Sequence, residues 1–164
     1  MPGMDRGFRT LIDASVAVKW FVNEEHRNLA LKLRDMHVSG SVTLIAPDLL
    51  VYEVANALRY NPYLNVGDVE RAVESIYKLH IELYSPTIDL MTDAARKAEK
   101  YNITFYDAAY LSLAERETCR MITADKKLYD KVKNSKLALL IPSEELNELI
   151  SKLTEKQETP IKLP

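Results

Sequence analysis

The sequence predicts an α/β domain built on a five-stranded, mainly parallel sheet with helices on both faces. Two observations carry this. Five short β-capable runs are separated by helical stretches along the chain. The runs are apolar almost throughout, as strands buried on both faces are. No repeat, low-complexity block or convincing boundary divides the 164 residues, so they read as one domain with a real core.

The elements follow in order. Phe8 to Ile12 forms the first strand and ends at Asp13. The stretch "VAVKWFVNEEHRNLALKLRDMHVSG" reads as two helices broken near Asn23 and closed by Gly40. Val42 to Ala46 is the second strand, stopped by Pro47. "DLLVYEVANALRY" is a helix with Asp48 as its expected cap and Pro62 beyond its end. "VGDVERAVESIYKLH" is the next helix, "IELYSP" a short strand, and "TIDLMTDAARKAEKYN" the helix after it. "TFYDAAYLSLAE" is helical and leads to a strand from Cys119 to Thr123. "ADKKLYDKVKN" is a short helix, and Ala138 to Ile141 the last strand. From Ser143 the chain starts helical and turns polar near Glu155.

Composition removes several classes of function. With 47% apolar and 28% charged residues the chain is globular rather than disordered. A net charge of −2 advertises no broad nucleic-acid-binding face, though a local basic rim would not register in the total. One cysteine, Cys119, rules out a disulfide framework within the chain and points to a reducing compartment. No apolar run approaches the ~20 residues of a membrane span, and the start lacks the apolar region of a signal peptide. The expected location is the cytoplasm.

Four acids stand out. In such sheets, ligands sit beyond the carboxyl ends of the strands. Asp13 ends the first strand, and Asp125 lies just past the fourth. Glu53 falls beside the apolar face of its helix, between Leu49 and Ala57, with Asn56 one turn along. Asp107 occupies a buried stripe with Tyr110, Leu111 and Ala114, where an apolar residue belongs. Structural roles fit each acid taken alone. Asp13 and Asp125 suit helix caps, Glu53 a boundary site, and Asp107 a first helical turn that favours an acid. Together, four carboxylates at one edge would repel and raise each other's pKa. Cations resolve that, and oxygen-only ligands favour Mg²⁺ or Mn²⁺ over zinc. Such an ion suits phosphate chemistry, because it positions water, lowers its pKa and steadies transition-state charge.

The order of "LIDAS", "APDLLVYEVANAL", "TFYDAAYLSLAE" and "MITADKKLYDKV" resembles the PIN-domain nucleases, in particular the VapC-type toxins of toxin–antitoxin pairs, from about Arg9 to Ile141. The resemblance implies a PIN-like three-layer fold with a five-stranded parallel sheet between helices. It implies a single PIN-like domain over 1–164, with its core at about 9–141 and a C-terminal helix and polar tail over 142–164. It carries the family's catalytic and metal-binding acids onto Asp13, Glu53, Asp107 and Asp125. Ser15, Asn56 and Thr123 match the supporting polar positions. The implied activity is Mg²⁺- or Mn²⁺-dependent cleavage of single-stranded RNA. The implied partners are a second copy in a homodimer and an antitoxin lying over the active-site groove. A stand-alone RNA-processing nuclease and a non-catalytic PIN-like binding module are the alternatives.

Other residues carry less. Ser15 and Thr123 also fit local turn or cap groups. Lys19, Lys126 and Lys127 read as solvated lysines or as attractors of RNA phosphate. His26, His37 and His80 show no metal-ligand spacing. Cys119 reads as core rather than nucleophile. Trp20 and Tyr60 flank the polar Lys19 and Asn61, which predicts partial exposure and a protein contact, whereas Phe21 and Tyr52 share their helices. Rival enzymes fail on the letters. A haloacid-dehalogenase-type phosphatase wants a second acid where Ser15 stands, a receiver domain wants an acidic pair near the first strand end, and no Gly-rich phosphate loop is present among the four glycines.

Overall fold

The computed structural model describes residues 7–158; residues 1–6 and 159–164, which hold the start of the chain and the end of the polar tail, lie outside the described residues. The strands are β1 (Arg9–Ile12), β2 (Thr43–Pro47), β3 (Glu82–Tyr84), β4 (Met121–Thr123) and β5 (Ala138–Leu140). The helices are α1 (Ala14–Ala17), α2 (Arg27–Val38), α3 (Leu49–Arg59), α4 (Val66–Lys78), α5 (Ile88–Tyr101), α6 (Phe105–Arg116), α7 (Lys126–Val132) and α8 (Glu144–Glu158), with 3₁₀ turns at Val18–Trp20 and Lys133–Ser135.

All strand pairs are parallel, in the order β3-β2-β1-β4-β5. Leu11 lies beside Ile45 on one side and Met121 on the other. Successive strand residues point to opposite faces, and Leu11, Ile12, Leu44, Ile45, Ala46, Met121 and Ile122 are all fully buried. Both faces of the central strands are therefore covered, as the apolar runs predict. The chain winds from β1 through β2 to β3, then crosses to the far side of β1 for β4 and β5. The direction reverses between β1 and β4, and the crevice beyond the carboxyl ends of those two strands is where such sheets bind ligands.

Helix α6 is apolar nearly all round: every residue from Ala108 to Ala114 is buried. That is the pattern of a helix enclosed by protein rather than lying on a surface. It packs against β1, β2 and β4, and its alanines Ala108 and Ala109 meet Ala94 of α5. The first long helical run breaks as expected, with α1 and its 3₁₀ turn ending at Trp20 and α2 starting at Arg27. Gly40 follows the end of α2 at φ +83°, a conformation that glycine adopts without strain.

The structure corrects three local expectations. Asp48 does not cap α3 with its side chain; its backbone is already helical, and its N–H donates to the Tyr84 carbonyl of the β3 end at 2.9 Å. Trp20 is core, 3% exposed, with its indole N–H donating to the Ala30 carbonyl at 2.9 Å. Lys19 is buried as well, because its ammonium is held by Glu24 at 3.1 Å and by the Glu25 carbonyl at 2.9 Å. Tyr60 is exposed, as expected.

Candidate active site

Asp13 is the first residue after β1. Its N–H donates to the Ile122 carbonyl of β4 at 3.2 Å, which pins it at the β1/β4 crevice. Its side chain caps α1 and is only 6% exposed. Three donors meet on Oδ1: the Ser15 hydroxyl at 2.5 Å, the Ser15 N–H at 3.0 Å and the Val16 N–H at 3.4 Å. The Ser15 oxygen also accepts the Ala124 N–H at 2.8 Å and lies 3.3 Å from Thr123 Oγ1. Thr123, fully buried, accepts the Asp125 N–H at 3.1 Å. One chain of polar contacts thus ties the β1 end to the β4 end.

Glu53 and Asp107 arrive from two helices. Glu53 lies one turn into α3, half-buried, and its Oε1 is buried with no hydrogen-bond partner. The hydroxyl of Tyr110, on α6, is close to Glu53, yet it too is buried and unbonded. Asp107 stands in the first turn of α6, half-buried. The capping Thr104 accepts its N–H at 3.0 Å and donates to its Oδ2 at 2.8 Å. Asp125 is exposed and caps α7, accepting the Leu128 N–H at 3.0 Å.

The electrostatics join these groups. Burial is the largest influence on Asp13 and pushes its pKa up to about 6; the Ser15, Thr123 and Val16 donors pull against it, and the charge of Asp107 adds to the rise. Glu53 is also raised, first by burial and then by Asp107, with the nearby Tyr110 hydroxyl offsetting part. Asp107 is raised by burial and by Asp125, against Thr104 and Lys131. Burial, reinforced by Glu53, drives the Tyr110 hydroxyl far upward, so it stays protonated. Asp107 is the hub of the cluster, since its charge reaches Asp13, Glu53 and Tyr110, and it feels Asp125 in turn.

The capping and pocket readings of Asp13, Asp107 and Asp125 are therefore compatible. In the conformation described, no three Asp, Glu, His or Cys side chains among the described residues form a ready-made metal cage. The donor chemistry nevertheless fits a hard divalent cation: carboxylate oxygens only, like charges near one another, and an orphaned buried oxygen on Glu53. Asn56 is exposed one turn along α3, and its side chain makes no hydrogen bond among the described residues. Lys126 is engaged by Asp130 at 2.8 Å. The residues that sequence reasoning passed over are Tyr110, Thr104 and Lys131. Thr104 had a signal, the Thr-x-x-acid spacing of a capping box. Tyr110 and Lys131 had none beyond their helical positions.

The PIN domain family model matches residues 10–134. Ribonuclease VapC3 of Pyrobaculum aerophilum is 30% identical over 130 residues, covering 75% of this chain and 94% of its own length. Ribonuclease VapC9 of Mycobacterium tuberculosis is 28% identical over 123 residues, covering 73% and 88%. Among solved structures, PAE2754 from Pyrobaculum aerophilum superposes with a TM-score of 0.64 over 91% of this chain and 98% of its own, at 20% identity. A chain of a toxin–antitoxin complex from Klebsiella pneumoniae gives 0.53 over 73% and 89%, at 14% identity. At those identities the two structures speak to the fold alone, and the fold agrees. With the family model spanning most of its length, this chain belongs to the PIN domain family.

Proposed function

We propose that this chain is an endoribonuclease that hydrolyses RNA phosphodiesters with a divalent ion, and that it is the toxin of a type II toxin–antitoxin pair. The observation that carries the reading is the approach of Asp13, Glu53 and Asp107 from three elements, with Glu53 Oε1 buried and unbonded. Relatives named as VapC ribonucleases support the activity, and the fold's occurrence in a toxin–antitoxin complex supports the antitoxin partner.

Asp13, Glu53 and Asp107, with Asp125 at the rim, are the residues that would hold Mg²⁺ or Mn²⁺. When bound, such an ion lowers the pKa of water and offsets charge on the reacting phosphate. Ser15 and Thr123 hold Asp13 in place and favour its ionised form, so it is a carboxylate at neutral pH. Tyr110, kept protonated, is a donor beside Glu53. No protein nucleophile is needed, and the Cys119 thiol, pushed by burial up to about 11, is far from a thiolate at neutral pH. Water attacks phosphorus, and the ribose oxygen leaves with a proton.

The wider assignment is a homodimer in the cytoplasm. Among the described residues no helix is long and apolar enough to cross a membrane. Tyr52, Phe105 and Tyr106, all exposed, surround an apolar groove of about 210 Å³ that suits self-association. The test of the activity is cleavage of single-stranded RNA by the wild type and Asp13→Asn with Mn²⁺ supplied; equal cleavage by both overturns the reading.

A further inference from the structure

Beside Asp107 and Asp125 runs a second groove of about 380 Å³, of mixed polar and apolar lining, between the α5–α6 connection and α7. Asn102 and Thr104 line one side, Lys127 and Lys131 the other. The two lysines are four residues apart on α7, so their side chains lie one above the other, with about 5–6 Å between Cβ atoms. Both are exposed.

Neither lysine is held in an ion pair with an acid among the described residues, whereas several other lysines are. Lys126 and Lys133 are taken up by Asp130, and Lys97 by Asp93 and Glu115. Lys127 makes no hydrogen bond or ion pair among the described residues. Lys131 donates to the Asn102 carbonyl at 2.6 Å, the terminal group of α5, which is a structural role. An ammonium has three donors, however, so that bond leaves two for another acceptor. Two available cations thus line the same groove as Asp107 and Asp125.

An anionic strand has an electrostatic problem at this site, because carboxylates repel the phosphates they must receive. Cations placed beside the acids resolve it by binding the neighbouring phosphates rather than the reacting one. We propose that Lys127 and Lys131 are positioning residues that bind successive backbone phosphates of single-stranded RNA and seat the strand against the acidic pocket. The inference rests on the nuclease reading and adds the direction in which the strand leaves the site: along α7, past Thr104.

The test compares the wild type with Lys127→Gln/Lys131→Gln in RNA cleavage with Mn²⁺ over a salt series, and in RNA binding with EDTA. The double variant should raise KM about tenfold with kcat within about twofold, and flatten the salt dependence by about 1.4 in log–log slope, at about 0.7 per lost phosphate contact. Lys131→Arg should restore most of its share, and Lys32→Gln on α2 should change nothing. A folding defect would instead lower the melting temperature and kcat together. If the wild type cleaves and the double variant keeps its KM and salt slope, the lysine assignment falls and the nuclease reading stands. If the wild type binds RNA through these lysines but cleaves none, the nuclease reading falls and the phosphate contacts stand. If it neither binds nor cleaves, both fall.

Discussion

The Ser15 hydroxyl donates to Asp13 Oδ1 at 2.5 Å while its oxygen accepts the Ala124 N–H at 2.8 Å. One side chain therefore clamps the central carboxylate and joins the ends of β1 and β4, the two strands that frame the crevice. Removing it should do more than cost one hydrogen bond. Ser15→Ala leaves only the backbone N–H donors of residues 15 and 16 on Asp13 and removes the hydroxyl that favours its charge, so its pKa rises above about 6. Cleavage should fall about 10–100-fold, and the pH profile should move upward. An unmoved profile with full activity would show that Ser15 is only a turn residue.

Asp13→Asn separates charge from shape. The amide oxygen can still accept from Ser15 and Val16, so the fold survives, but the negative charge is gone. RNA cleavage should drop to background at any Mn²⁺ concentration tested. Circular dichroism should be unchanged.

The same carboxylate makes the metal-free protein sensitive to pH. The folded pKa of about 6 lies above the ordinary value of 3.8, so between those values the folded state holds a proton that the unfolded state lacks. Stability must therefore fall as pH rises from about 4 to about 6, and this cost is fully present above 6. At 1.36 kcal/mol per pKa unit the loss is on the order of 3 kcal/mol. Glu53 and Asp107, also raised, act with the same sign. Asp68, Asp93 and Asp130 are lowered and oppose it only below about pH 4. Melting in EDTA should thus give a higher midpoint near pH 4.5 than near pH 7, with a smaller difference in Asp13→Asn. Equal slopes in the two proteins would remove Asp13 as the source.

Much of this was legible in the sequence, for physical reasons. Asp13 and Asp125 could be placed because strands end visibly and parallel sheets put ligands at those ends. Asp107 was legible because it breaks an apolar stripe, in a helix whose next seven residues are all buried. Trp20 and Lys19 were not: a lysine beside a tryptophan reads as surface, but Glu24 and the Glu25 carbonyl hold that ammonium in a buried place no local pattern encodes. Asp48 had the letter of a cap, yet its N–H is committed across the sheet to Tyr84. Strand limits shifted by one or two residues, as at Met121 in place of Cys119, where β5 on one side begins only at Ala138, the partner of Met121. The unbonded pair of Glu53 and Tyr110 belongs to the contact of two helices far apart in sequence.

A divalent ion should stabilise the folded protein. Like charges around Asp107 are relieved only when a cation enters or a charge is removed. Saturating Mn²⁺ at 100 times its Kd should add about 2.7 kcal/mol. Asp107→Asn should raise the metal-free midpoint and abolish most of the Mn²⁺ shift. A wild-type midpoint that is the same in EDTA and Mn²⁺ would count against the acidic pocket as a metal site.

The last expectation concerns assembly. Tyr52 is 74% exposed and Tyr106 61% exposed, and both border the apolar groove formed by α3, α5 and α6. Large aromatic side chains left open beside an apolar groove favour a protein contact, since covering them removes apolar surface from water. The acidic pocket uses neither residue, so self-association can be tested apart from catalysis. Sedimentation equilibrium at micromolar concentration should give twice the chain mass of 18.7 kDa. Tyr52→Glu and Tyr106→Glu place a carboxylate in the covered surface, where an unpaired charge is costly. Each should shift the equilibrium toward monomer while leaving the melting temperature of the isolated chain within a few degrees, because both side chains are exposed in the single subunit. A wild-type monomer at those concentrations would refute the homodimer. A dimer indifferent to both substitutions would place the contact on another face, and co-purification with the product of the neighbouring reading frame would detect the antitoxin separately.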